Sequence, residues 1–479
     1  MMTQTGRMVL ICLLAAVTAL AQNTEIEQLK NKMLQLDQTM QEIRKQILAL
    51  EQAQKTPLPV TPAAPAPAAP VPIAQLPGTH YGEETRTRET AGQNEYSAAR
   101  INSESFDPAL KGFFRLPGTS TLMKFGGFVK TDVIYDLKHA GTFYGAYVPS
   151  SFPSSPTPHS KNATVSMRPS RFYWEARHGT LDNSGNTVKT YVEFDFFSNF
   201  DRNTIRLRQF YGQYKNVLVG QTWSAFSDPD AFPDTLEFEG PPGVIASRNP
   251  QLRYTKPLND AHSIGASVEK SGVDTPFGTP FGTPMGTSNF PDLVGFYRYE
   301  NKHGHLHAAA LFRSVGGIIP NTTVPDLHRH TGGYGSSVSS TWGLGGKDSI
   351  VFQAVIGKGI SNYYNDNFGL GTDVGFAADG HLVAVPTGSG TVGITHNWTK
   401  MVRSTFSYGQ MRINNTARAP GEEYHVSHYA TANVIVQPTI NFLFGGEYIY
   451  GSLERKNGFK WVAPRIQGSV TYYINKHPK

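Results

Sequence analysis

Ten basic residues recur in a region rich in Tyr, Phe and Gly: Arg171, Arg177, Arg206, Arg208, Arg253, Arg298 and Arg313, with Lys124, Lys130 and Lys189. In Arg206-Leu207-Arg208 two guanidinium groups stand two residues apart, a spacing that puts both on one face of an extended strand. Guanidinium stays charged and grips a carboxylate or phosphate through two parallel hydrogen bonds. A row of such groups raises the local concentration of anions and orients dicarboxylates. Close behind comes a stretch, Ser224–Pro250, that opens with Asp228, Asp230, Asp234, Glu237 and Glu239 and closes with Arg248. The competing expectation is that each arginine pairs with Glu175, Glu193 or Asp195 and only stabilises its surroundings. For one arginine the two readings weigh equally; for the set, anion passage is favoured.

Other chemistry is thinly represented. His305/His307 and His328/His330 are His-x-His pairs, and alternate residues of a strand share a face, so either pair could hold a metal. Neither has a carboxylate or cysteine at matching spacing, so both read as ordinary histidines and no metal or other cofactor is expected. The one cysteine, Cys12, excludes an intrachain disulfide and a multi-thiolate site. No G-x-S-x-G elbow or phosphate-cradling glycine loop occurs, so nothing points to an enzyme. The net charge of +6 is not gathered into a run, which argues against nucleic acid as a partner.

The elements that must position the arginines are strands. In Met123, Phe125, Gly127, Val129, Thr131, Val133 and Tyr135 alternate residues tolerate lipid, while Lys124, Lys130, Asp132 and Asp136 lie between them. The same alternation recurs at Val188–Phe196, Leu306–Phe312 and Ile466–Ile474. Sixteen such segments fall between residues 121 and 475, joined alternately by short turns and long connections. The pattern predicts an all-β fold, a 16-stranded antiparallel transmembrane β-barrel over residues 113–479, with short turns on the periplasmic side. A barrel of this size encloses water. Residues 224–250 form its third long connection, which in sixteen-stranded pores folds inward and would set the five carboxylates opposite the arginines.

Ahead of the barrel the period changes. Arg7 precedes an apolar run, Met8 to Leu20, that closes on Ala19-Leu20-Ala21, so residues 1–21 read as a signal peptide and the chain as exported. Ile26, Leu29, Met33, Leu36, Met40, Ile43, Ile47 and Leu50 then alternate at spacings of three and four, the a/d seam of a coiled coil over residues 22–55 that fits a trimer at least as well as a dimer. Residues 56–77 are Pro/Ala-rich, a semi-rigid polyproline II spacer. Residues 78–112 form an irregular connector.

The order of signal peptide, coiled coil, Pro/Ala spacer and barrel, with RLRQFYGQYKNVLVGQTWSAFSDPDAFPDTLEFEGPPG from Arg206 to Gly243, resembles the DcaP-like trimeric porins of Gram-negative outer membranes. The resemblance implies a homotrimer in outer-membrane lipid, a periplasmic N-terminal extension, and arginine-lined channels for small anionic solutes such as dicarboxylates. It supports Arg206, Arg208, Asp228, Asp230 and Asp234, which lie in the matching stretch, and says less of Arg298 and Arg313. The C-terminus departs from the aromatic residue that ends many such barrels, running Ile474-Asn475-Lys476-His477-Pro478-Lys479. Two rival readings are a phosphate- or polyphosphate-selective porin and a structural tether reaching toward peptidoglycan.

Overall fold

The computed structural model describes Lys45 and residues 112–141, 145–156, 161–179, 187–198, 203–276, 285–319 and 327–474. The signal peptide, coiled coil, spacer and connector expected before residue 112 lie outside these. Two units divide the chain, residues 1–79 and 80–479, and everything below concerns the second.

Alternation of apolar and polar residues leaves each strand one face for lipid and one for the interior, and the chain satisfies both by closing its sheet. Twenty hydrogen-bonded segments form that sheet. Three are short extensions (Phe114–Arg115, Met285–Thr287, Lys460–Val462) and two are halves of one interrupted strand, so the wall has sixteen strands. They are β1 Leu122–Asp136, β2 Asn162–Ser166 with Arg171–His178, β3 Val188–Asp195, β4 Arg206–Tyr214, β5 Val217–Trp223, β6 Arg248–Pro257, β7 His262–Glu269 and β8 Asp292–Asn301. The second half comprises β9 Gly304–Ile319, β10 Leu327–Leu344, β11 Asp348–Lys358, β12 Pro386–Asn397, β13 Val402–Ile413, β14 Tyr424–Thr439, β15 Phe442–Arg455 and β16 Arg465–Ile474. Every neighbouring pair is antiparallel, and β1 pairs with β16 from Gly127↔Ile474 to Asp136↔Arg465, which closes the cylinder and removes both edges. All sixteen strands expected from the sequence are present, with ends shifted by a few residues.

Closure sorts side chains by parity. Val133, Val165, Leu252, Phe312, Ile356, Phe406, Val434 and Ile466 are exposed on the outside. Tyr214, Tyr254, Trp398 and Phe442 are exposed beside the short turns, the place of an interfacial aromatic girdle. The opposite parity faces inward and is buried and polar, including Asp132, Glu175, Glu193, Gln209, Arg253, Arg298, Ser339, Thr395 and Gln467. No helix among the described residues is long and apolar enough to cross a membrane. Strands do the crossing.

Candidate functional site

Residues 224–247 enter the barrel and run round its inner wall. Just after β5, the Ala225 amide donates to Glu269 of β7 (2.8 Å). Asp228 and Asp230 meet Arg298 of β8 at 3.2 and 2.9 Å. Ser339 of β10 donates to Asp228 (2.7 Å), and Thr341 to the Asp230 carbonyl (2.7 Å). Asp234 pairs with Arg403 of β13 (2.7 Å), and the Leu236 and Glu237 amides donate to Glu447 of β15 at 2.8 and 3.0 Å. Lys130 of β1 and Gln467 of β16 both donate to the Leu236 carbonyl. The segment turns at Phe238, stacked on Phe197 with ring centres 4.4 Å apart. It returns past β12 and β11, where Ser389 donates to the Gly243 carbonyl (2.7 Å) and the Ile245 amide to Gln353 (2.7 Å).

The wall is thinned where the segment passes. A Cβ on Gly409 of β13 would lie 2.5 Å from Pro241, and one on Gly393 of β12 would lie 2.9 Å from Pro233. Side chains larger than hydrogen at these two inward positions would push the segment off the wall.

Thus the acidic residues are divided: Asp228 and Asp230 meet Arg298 of the expected row directly, Asp234 meets Arg403, and Glu239 lies under the pull of Arg206, Arg208 and Arg248. Asp228, Asp230 and Asp234 are held by Arg298 and Arg403, on the half of the wall away from β2–β6. Glu237 accepts the amides of Tyr147 (2.7 Å) and Gly240 (2.7 Å). Burial, then the neighbouring Glu239 charge, pushes its carboxyl up to about 8. Burial also raises Glu239, against the pull of Arg206, Arg248 and Arg208. Burial would raise Asp228 too, but His305 and Arg298 outweigh it and hold that carboxyl well below the usual range.

Each arginine singled out in the sequence except Arg206 and Arg248 is buried, those two being partly buried. Arg177 bonds Glu175 (2.6 Å), Arg171 lies 3.8 Å from Glu193, and Lys189 lies 3.8 Å from Glu175. Lys130 pairs with Asp132 (3.1 Å), and Lys124 sits over the Phe113 ring at 5.6 Å. Arg313 is held by Asp292 and Asp373, both at 3.3 Å. Arg253 donates to Gln251 (2.9 Å) and to the Trp223 carbonyl, with no carboxylate within ion-pair distance among the described residues.

Arg206, Arg208 and Arg248 converge. Arg208 bonds Glu193 (2.7 Å) and Asp195 (2.8 Å), and Arg206 bonds Asp195 through two nitrogens (2.9 and 2.7 Å). A register shift between Glu193 and Phe194 marks a bulge opposite Arg208, so Arg208 and Gln209 are both buried although consecutive. The guanidinium groups stack on aromatic rings: Arg206 on Phe197 (5.3 Å), Arg208 on Phe238 (5.7 Å), Arg248 on Trp223 (4.5 Å). Arg248 makes no ion pair with any described residue. Arg403 and Arg465, which the sequence reading passed over, are buried on ion pairs to Asp234 and Asp136. Strand parity alone would have found both.

A closed sixteen-stranded wall, an interfacial girdle and a third connection folded into a charged interior define a porin-type outer-membrane barrel. The family model described as DcaP outer membrane protein matches residues 115–470, and the chain belongs to that family. Among solved structures, the outer membrane channel DcaP of Acinetobacter baumannii is 22% identical, with a TM-score of 0.66 over 76% of this chain and 100% of that one. An anion-selective porin from Comamonas acidovorans is 11% identical, with a TM-score of 0.47 over 74% and 100%. Salmonella typhi OmpF is 11% identical, with a TM-score of 0.48 over 75% and 100%. No curated protein matches the chain.

Proposed function

We propose that this outer-membrane porin passes small anionic solutes of the dicarboxylate kind through a constriction lined by Arg206, Arg208 and Arg248, and works as a homotrimer. The supporting observation is a local excess of positive charge. Arg171, Arg206, Arg208 and Arg248 gather around two wall carboxylates, Glu193 and Asp195, with Glu239 of the inward segment as the other nearby acid. Asp228, Asp230 and Asp234 of that segment are engaged on the other half of the wall, so four guanidinium groups face three carboxylates here. Arg248, stacked on Trp223 and without an ion pair to any described residue, is the group best placed to take a solute carboxylate.

Planar-bilayer recordings in a salt gradient test this. The wild-type channel should prefer anions, and Arg206→Ala with Arg208→Ala should move the reversal potential toward cations. A cation preference in the wild type, or an unmoved reversal potential in the double variant, would refute the reading.

A further inference from the structure

We propose that Asp228, Asp230 and His305 form a binding site for a divalent first-row transition ion such as Zn²⁺, which clasps the inward segment to the barrel wall. The histidine pair carried too little for a metal reading in the sequence, because no carboxylate stood at matching spacing. The fold supplies the carboxylates from 70 and more residues away. The ligand atoms of Asp228, Asp230 and His305 all lie within 4.8 Å of one another.

The two oxygens of Asp228 have separate duties. Oδ1 accepts from Arg298 (3.2 Å), whose other terminal nitrogen bonds Asp230 Oδ2 (2.9 Å) and whose Nε bonds Glu300 (3.0 Å). One guanidinium charge is thereby shared among three carboxylates. Oδ2 faces away from that contact toward His305 Nε2 (2.8 Å) and the Ser339 hydroxyl (2.7 Å). An ion seated between Oδ2 and Nε2 would replace the shared proton and need spacings of about 2.0–2.2 Å to each ligand. An imidazole with two carboxylates suits zinc or its neighbours rather than calcium.

A second observation points the same way. His305 is fully buried and His307 is 5% exposed, and the Nδ1 atom of each has no hydrogen-bond partner. His307 lies on the same face of β9, near enough to act on the Asp228 charge. Buried ring nitrogens left unanswered are uncommon. The unanswered His305 Nδ1 is turned away from the Nε2 edge that meets Asp228, so the support comes from His307, buried near the Asp228 charge with its own Nδ1 unanswered. Asp230 keeps partial access to solvent, a route by which an ion could enter.

The test uses the untagged full-length chain, folded in detergent, stripped with chelator and titrated with Zn²⁺ and, for its absorption bands, Co²⁺. One ion per chain should bind, with Co²⁺ giving d–d bands of a nitrogen–oxygen site. His305→Gln and, separately, Asp230→Asn should weaken binding at least about tenfold, while His428→Gln, on the outer face, should bind as the wild type does. Heat-modifiable gel mobility identifies which variants are folded, and Asp230→Asn serves if His305→Gln is not. No saturable uptake by the wild type, or undiminished affinity in a folded site variant, would overturn the proposal.

Discussion

At the scale of single residues, charges inside this barrel are stable only as sets. Asp234 is fully buried, and Arg403 is its one ion-pair partner among the described residues, at 2.7 Å. Arg403→Ala would leave that carboxylate without its counter-charge, a loss of about 3–5 kcal/mol. Adding Asp234→Asn should recover much of it. The temperature at which the folded band disappears on heat-modifiability gels would show both effects, and a single variant as stable as the wild type would contradict the assignment. Glu237 responds to pH instead. Burial and Glu239 raise its carboxyl to about 8, so the folded segment holds a proton that an exposed glutamate would already have lost. Its stabilisation is therefore full at low pH, declines as pH rises from the ordinary glutamate range, and is gone once pH passes about 8. Proteolysis of residues 224–247 should accelerate between pH 6 and 9, as orders of magnitude of proton activity are removed. Glu237→Gln, which cannot ionise, should flatten that profile, and an unchanged profile would remove Glu237 from the role.

At the scale of elements, the inward segment and the strands beneath it are fitted to each other. Gly409 and Gly393 leave hydrogen where the segment's prolines press on the wall. Gly409→Leu cannot coexist with Pro241 at its present place, so the barrel should fold with the segment displaced. Single-channel conductance should rise and become noisier; an unaltered trace would show that the segment does not limit the passage. The outer face obeys the opposite demand. Val133 is 60% exposed on the outer side of β1, and Val133→Arg would cost about 2–4 kcal/mol near the middle of a bilayer. Refolding into vesicles at graded denaturant measures that cost.

At the scale of the whole molecule, the proposed solute passage and the proposed assembly are assigned to different parts of the sequence. The expected heptad seam from Ile26 to Leu50 precedes in the sequence the charges that would select solutes. Deleting residues 22–77 should keep conductance and ion preference while weakening the oligomer, seen as monomer on mild gels. A wild-type barrel that does not conduct, with a cellular phenotype lost altogether in the deletion, would favour the tether. The sequence alone determined the number of strands and their parity, because a strand with lipid on one face must alternate, and alternation is local. By the same parity it placed Arg206 and Arg208 on the inner face. What it could not contain is which charges meet. Arg298 finds Asp228 across 70 residues and Arg403 finds Asp234 across 169, through a connection that enters the lumen. The bulge at Arg208 is likewise a property of the pairing between β3 and β4. Those partnerships depend on closure of the cylinder, which brings strands far apart in the chain around one interior, and only the tertiary structure decided them.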